Sequence, residues 1–409
     1  MKPRIVFFKT PDPKGFNDEI IDSLSKSISA RNFEVKVIEP KPENIQDVVN
    51  EIFEFKPLFT FDINLDGVIF AEDEQKNKKP LFDIIGNIHV SWFLEDPMLH
   101  FLKLKSVISS NQLLFLNIDI EHSQWLAQMG KNVAFLAPGI NPSRVPPPME
   151  KEFDVAFVGP VVEPVIYEEF WKDKLDEGLY TYAVELGRLI YRNPDMPIRY
   201  ASGHLLSQFS PDFQEAIVKL QQERDEDFIK LLAEIGGYAM NLRRWHILES
   251  IDDIEINVLG EVRGETKENI VVYEDITTLK DITSFLAKTK VSLLSQPPFI
   301  PTGIGLTSFY SIASGALTFL EERLSVKSFF TVDEEVVTYH PMDSVEIEGK
   351  IMYYLEDAPS EREEIARKGR DKVFKHHTLY QRGEILGNIL EDIIKQASQE
   401  QNQNENNSQ

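Results

Sequence analysis

The chain reads as an α/β protein of two Rossmann-like lobes with a helical segment in the second, and three observations carry that reading. Its 409 residues exceed one ordinary core and suit two domains of common size. Short apolar runs alternate with helical patterns in two separate series, the arrangement that produces parallel sheets. Between the series lies a Pro-rich stretch, residues 138–148, which breaks regular structure and reads as an interdomain linker.

In the first series, residues 4–8 form an apolar strand, 17–28 repeat apolar positions at helical spacing, and 33–38 alternate as a strand, which is one βαβ unit. Further strands are expected at 67–70, 88–93, 113–116 and 133–136, each short and apolar as strands covered on both faces are. The first lobe is therefore expected over residues 1–145 and the second over 152–396. Residues 153–158, ending at Gly159-Pro160, open the second lobe; about 164–250 are rich in helical patterns, with 215–235 the clearest amphipathic stretch. Alternation then resumes with strands at 254–259, 270–273, 291–294, 316–319 and 334–339 and a helix at 279–289. Residues 397–409, dominated by Gln, Asn, Ser and Glu, are expected to be a disordered tail.

Composition narrows the function. A formal charge of −24 speaks against sequence-independent binding to nucleic acid, because that attraction needs cations against phosphates. An anionic ligand would require a local basic site. With no cysteine there is no disulfide framework, thiolate metal site or Cys nucleophile, in keeping with a cytoplasmic location. No apolar run approaches the ~20 residues of a membrane-spanning helix, and Met1 to Phe8 read as a first strand and not as a signal peptide.

Chemistry concentrates in residues 302–315. Gly303 and Gly305 can bring backbone N–H groups close to a diphosphate, and Thr307 and Ser308 add hydroxyls at a helix N-terminus, whose dipole favours anions. Taken alone, the pattern is a tight strand-to-helix turn before it is a phosphate site. Arg263, just past a strand end, is a candidate bidentate partner for the diphosphate, whereas Arg243 and Arg244 read as a solvated helical face. Gly260, Tyr273 and Glu274 lie at strand ends where a base or ribose would sit. On the acceptor side, Asp96 and Glu95 are candidates for acid/base or hydroxyl-binding work, Asp96 being equally a turn cap before Pro97. Asp12 and Lys14 follow the first strand and should border the same cleft. His100 and His122 read as packing residues, and no metal site or nucleophile elbow is present.

Residues 307–315, Thr-Ser-Phe-Tyr-Ser-Ile-Ala-Ser-Gly, resemble the Arg-x-Phe-Glu-x-x-Ala-x-Gly segment of the CgeB-like spore-maturation glycosyltransferases, with Phe309, Ala313 and Gly315 matching. Residues 351–357, 366–370 and His377-Thr378 with Arg382 are similar to that family's tail, 90–97 to its Trp-Phe-x-Asp-Asp-Pro segment, and Phe157-Val158-Gly159 to the start of its second lobe. The resemblance implies the GT-B arrangement with a group 1-like C-terminal domain. It places the nucleotide sugar mainly on the second lobe and the acceptor mainly on the first. It also implies transfer to a glycan, protein or small-molecule hydroxyl without an essential metal or resident cofactor, and gives His377 the task of organising the C-terminal helix. Tyr310 stands where the family has a Glu for the ribose hydroxyls, Thr307 where it has an Arg near the phosphates, and Thr302 where related transferases have an earlier acidic partner. A tyrosine lacks a carboxylate's two acceptor oxygens. These departures motivate a competing reading, a catalytically degenerate subunit that binds a partner protein or glycan. A Rossmann oxidoreductase is the weaker third reading, since residues 9–15 lack a three-glycine fingerprint.

Overall fold

The computed structural model describes residues 2–12, 16–73 and 75–407. One sheet holds β1 (Arg4–Phe8), β2 (Glu34–Ile38), β3 (Phe59–Ile63), β4 (Ile88–Phe93), β5 (Leu113–Asn117) and β6 (Asn132–Phe135) in the order β2-β1-β3-β4-β5-β6. The other holds β7 (Phe153–Val158), β8 (Ile256–Leu259), β9 (Ile270–Tyr273), β10 (Thr289–Leu294), β11 (Leu317–Glu321) and β12 (Val337–Tyr339) in the order β9-β8-β7-β10-β11-β12. All pairings within both sheets are parallel. These are two doubly wound lobes, and in each the winding reverses beside the first strand, between β1 and β3 and between β7 and β10.

The expected strand at 67–70 is displaced. The ladder strand is β3, eight residues earlier, which the sequence hides by placing Asp62 in its middle. That carboxylate is fully buried and accepts the N–H of Gly67 at 2.8 Å. A Cβ on Gly67 would lie 2.5 Å from Cβ of Phe8, so the run begins in a turn folded tightly against β1, and only Phe70 enters a strand, the short Phe70–Glu72.

The helical segment is present as five helices: Pro164–Lys174, Glu177–Arg192, Ile198–Leu206, Pro211–Glu223 and Asp225–Glu249. The stretch expected to be continuous over 215–235 is interrupted at Arg224, whose φ of −140° and ψ of 51° are not helical. These helices share a core around Trp171, Tyr182 and Tyr238, and that core also takes in Met98 from the first lobe and Phe299 from the second. The segment therefore seats on both lobes.

The C-terminal helix, Leu379–Asn407, departs from expectation twice. It was expected with the second lobe, yet Leu379, Leu386 and Leu390 pack into the core of the first sheet. There it lies along the helix Phe16–Ala30, with Ser27 Oγ donating to Tyr380 O at 3.0 Å and Arg31 pairing with Glu391 at 3.0 Å. It also continues to Asn407, into the stretch expected to be disordered, where Ala, Gln and Glu are good helix formers and no Gly or Pro intervenes. Among the described residues no helix is long and apolar enough to cross a membrane.

Residues 138–140 of the linker are sewn to the end of the second lobe. Ile140 N–H donates to His377 O at 2.9 Å, Leu379 N–H to Ile140 O at 2.7 Å, and Arg382 Nε to Pro138 O at 2.9 Å. His377 sits among Phe309, Phe329 and Phe330, with Nδ1 accepting from Arg382 Nη2 at 2.8 Å, so its role is organisational, as the resemblance implied.

Two outcomes follow. Gly383 lies so close to Ser27 that a Cβ would fall 2.4 Å from Ser27 Cβ; Gly383→Val should therefore cost about 1–3 kcal/mol in urea unfolding, and wild-type stability would refute the packing. Burial, and next the charge of Arg382, push the His377 imidazole down from 6.5 to about 3. The unfolded chain thus binds the extra proton, so His377 contributes its full stability above pH 6.5 and loses it as pH falls toward 3, by up to about 1.4 kcal/mol per unit. His377→Phe should flatten the stability profile over that window, and an unchanged slope would count against the assignment.

Candidate functional site

The two sheets present their carboxyl ends to one another, and the Gly-rich loop lies between them. It leaves β10, passes Thr302 and Gly303, and enters the helix Leu306–Ser314 with Gly305 as N-cap. Its amides do hold an anion, but that anion belongs to the chain. Asp119, fully buried at the end of β5, accepts Thr302 N–H at 2.8 Å and Gly303 N–H at 2.7 Å on Oδ2, and Thr302 Oγ1 at 3.0 Å on Oδ1. The same carboxylate caps the helix Ile120–Gln128 by accepting Glu121 N–H at 2.9 Å. Gly303 is required by this approach: its Cβ would lie 2.6 Å from Ile118 O. Asp119 escaped the sequence reading, although an Asp between an apolar strand and Ile-Glu is a helix-start signal.

Beyond the loop, Gln296 supports the helix start. Its Oε1 accepts Gly305 N–H at 3.4 Å and its Nε2 donates to Ser308 Oγ at 2.5 Å, so Ser308 is buried and engaged, while Thr307 is half-buried. Tyr310 points toward the first lobe. Its hydroxyl accepts Asn141 N–H at 2.9 Å and faces Glu19, which pairs with Arg144 at 3.0 Å. Burial holds the Tyr310 phenol well above its ordinary range. Burial also raises Glu19, opposed by Arg144 and by Tyr310, and Glu19 Oε2 is buried without a hydrogen-bond partner. A carboxylate is thus present beside position 310, supplied by the other lobe.

The acceptor-side candidates separate. Asp96 caps the turn Pro97–His100, accepting Met98 N–H at 2.9 Å, and is 1% exposed. Arg199 Nη1 donates to both its oxygens, at 2.8 and 3.0 Å, while Arg199 also stacks over Trp125 and donates to His122 Nδ1 at 3.3 Å. His122 Nε2 in turn reaches Phe299 O at 2.8 Å. A carboxylate so neutralised and enclosed joins the helical segment to the first lobe; it is not placed to take a proton from an acceptor. Glu95 is half exposed and hydrogen-bonded to His100 Nε2 at 2.9 Å. Asp12 caps the helix Phe16–Ala30 by accepting Phe16 N–H at 2.7 Å, and Lys14 lies outside the described residues.

Arg263 is on a short outer strand, exposed and paired with Glu261 at 2.7 Å, so it is a surface ion pair in this structure and not a cleft ligand. Gly260, at φ +128°, lets the chain pass Pro160, whose N would be 3.1 Å from a Cβ there. Tyr273 packs edge-on against Phe153 and Phe285, and Glu274 is exposed; neither meets the loop. The expectation for Arg243 and Arg244 is reversed: both are buried. Arg243 Nη2 donates to Ile190 O at 2.9 Å and Nη1 to Glu321 at 3.3 Å, Arg323 Nη2 donates to the same Glu321 oxygen at 2.7 Å, and Ser295 Oγ donates to its other oxygen at 2.6 Å. Arg244 Nη1 donates to Pro160 O at 2.6 Å. Among the described residues no group of three or more His, Asp or Glu is arranged to hold a metal ion.

Residues 243–388, which contain the Gly-rich loop and the buried arginines, match the family of glycosyl transferase-like domains. That part of the second lobe is thus similar to a glycosyl transferase-like domain. An uncharacterized protein of Aquifex aeolicus (strain VF5) is 28% identical over 393 residues, spanning 96% of this chain and 97% of that one. Two solved structures share the whole architecture: sucrose-phosphate synthase from Thermosynechococcus elongatus (TM-score 0.50, 9% identity, 96% of this chain and 100% of that one) and Anabaena HepE in complex with UDP and glucose (TM-score 0.50, 11% identity, 95% and 100%). At such identities the likeness shows the fold.

Replacing Asp119 by Ala strands the Thr302 and Gly303 donors and removes a helix cap. A loss of about 2–4 kcal/mol is expected in denaturant unfolding; a change below about 0.5 kcal/mol would show that the carboxylate does not hold the loop.

Proposed function

We propose that the protein is a glycosyltransferase that moves a sugar from a nucleotide-sugar donor to a hydroxyl of a glycan, protein or small molecule, of the CgeB-like kind and without a metal cofactor. The observation that carries the reading is the Gly-rich loop: at the carboxyl end of the second sheet, inside the matched region, it presents amides already organised around a carboxylate. Sugar transfer needs such preorganised donors for the charge that develops on the leaving diphosphate. Asp119 holds these amides when the lobes meet, so donor binding and lobe contact compete for them. Glu95, half exposed and hydrogen-bonded to His100, is the acceptor-side carboxylate we assign to acid/base work. The domains we assign are an acceptor-side lobe over 1–145 and a donor-side lobe from 152, the latter ending before the C-terminal helix returns to the first.

A second reading has its own observation. With Asp119 on the loop amides, Tyr310 engaged by Asn141 and Asp96 neutralised by Arg199, the same geometry serves a catalytically degenerate subunit that binds a partner or glycan.

Calorimetric titration with uridine, guanosine, adenosine and thymidine diphosphates and their sugars separates the two. The transferase reading expects one nucleotide to saturate, its sugar to be turned over, and Asp119→Asn to bind it about tenfold more tightly, since the competing charge is removed. Silence across the panel with both proteins would move the assignment to the degenerate subunit.

A further inference from the structure

We infer that Asn64 is a positioning residue for the acceptor side of the transfer: with its neighbour Leu65 it sets the segment 94–100, and through it the Glu95 carboxyl, at the carboxyl end of the first sheet. The inference rests on the transferase reading, in which Glu95 does acid/base work, and it begins from the backbone. Asn64 and Leu65 have φ of 55° and 59°, so the chain turns left-handed for two successive residues directly after β3. Asparagine tolerates that region, whereas leucine pays for it, because its Cβ crowds the following carbonyl. Strain of this kind persists only where the surroundings over-determine it, and it gathers at sites that need a fixed geometry.

The surroundings here are specific. Leu65 N–H donates to Ser91 Oγ at 2.9 Å, Asp66 N–H to Ile63 O at 3.0 Å and Gly67 N–H to the buried Asp62 at 2.8 Å, while Leu65 itself is buried. What the turn achieves is visible in its pairing with β4. Ile63 is the register partner of Trp92, and Asn64 N–H donates to Trp92 O at 3.1 Å. A continued parallel ladder would next have the Asn64 carbonyl accept Leu94 N–H. Here the side-chain Oδ1 of Asn64 accepts it instead, at 3.0 Å. The chain is thereby held one residue beyond β4, and the next residue is Glu95. The same turn grips the far end of the segment: Asp66 pairs with Lys103 on the helix Phe101–Val107, and Leu65 shares a core with Phe93 and Leu104, one on each flank. Between these anchors Glu95 and His100 are hydrogen-bonded at 2.9 Å, with the His100 ring against Phe93. The carboxyl ends of parallel strands are where ligands of such sheets lie. A carboxyl that must come within hydrogen-bond reach of an acceptor hydroxyl needs a rigid mount, and a strained turn fastened to both ends of its segment is one.

The test labels the carboxyl groups of the intact protein with a carbodiimide and glycine ethyl ester and reads Glu95 by peptide mass, in wild type, Asn64→Gly and Asn64→Asp. Glycine keeps the left-handed backbone and removes the acceptor; aspartate tolerates the same backbone and keeps the acceptor. The expected result is labelling of Glu95 about threefold or more faster in Asn64→Gly, a wild-type rate in Asn64→Asp, and no change at an exposed carboxyl elsewhere such as Glu223. An asparagine that only stabilises the fold would lower the melting temperature and leave the labelling of Glu95 relative to Glu223 unchanged; that result overturns the assignment. Should Asn64→Gly fail to fold, hydrogen exchange in the wild type decides: a Leu94 amide as protected as the β4 ladder supports the mount, and one that exchanges like an open loop overturns it. The two readings fail separately. Labelling that depends on Asn64, with no sugar nucleotide turned over, keeps the mount and removes the transferase; turnover with the same kcat and KM in wild type and Asn64→Gly keeps the transferase and removes the positioning role.

Discussion

The junction of the two lobes depends on the Asp119 carboxylate, which is counted twice in the structure. It ends one helix in the first lobe and one loop in the second, with both oxygens used and no water-facing surface. In such a setting each hydrogen bond is stronger than in water, and each donor left behind would be expensive. The neighbouring residues follow from this placement. Gly303 must be glycine because Ile118 O lies where its side chain would be, and Phe299, a few residues earlier in the same loop, gives its carbonyl to His122 on the helix that Asp119 caps. A loop that reads as a phosphate cradle is thereby also a docking surface for the first lobe.

Around that contact the chain ties its lobes together by crossing between them. It leaves the first lobe through residues 138–148 and returns after His377, and the two crossings are hydrogen-bonded to each other at Ile140 and His377. The helical segment makes a third tie, through Arg199 on Asp96 and Lys105 on Asp225. Relative motion of the lobes must either preserve the Ile140 crossing as a pivot or break buried polar contacts. Asp96–Arg199 and Asp119–Gly303 are among those contacts.

Much of the fold was legible in the sequence because buried parallel strands are short apolar runs. β1, β4, β5 and β7 stand where those runs are, and the helical interruption and the Pro-rich crossing were visible as breaks in the alternation. β3 was not, since Asp62 interrupts its apolar pattern for the sake of a turn that only tertiary contact explains. The C-terminal helix could be seen but not placed: Leu386 and Leu390 are spaced to bury one face, and nothing local says which lobe receives it. At the site, the Gly-rich loop was found by its glycines, yet its true partner lies 183 and 184 residues away. Spacing along a chain identifies a receiver of anions and does not say which anion is received. Asp96 is the turn cap that the sequence offered beside a catalytic role, and the two helix arginines were misread because charged residues are usually solvated. Here the helical segment covers them, and burial changes what each can do.

That burial also sets these cations apart in a strongly acidic chain. The overall field of −24 charges repels a diphosphate, but exposed charges farther away than about 8 Å are largely screened at physiological salt. Cations enclosed under the helical segment are screened far less, and they act at short range in a medium of low dielectric. Arg243 and Arg323, gathered on Glu321, and Arg244, buried beside Pro160 O, thus act on their surroundings more strongly than surface cations do. The insertion that interrupts the βα alternation carries Arg243 and Arg244 at the end of its last helix. A surface arginine such as Arg263, paired with Glu261 and open to solvent, cannot exert the same pull however well the sequence places it near a strand end.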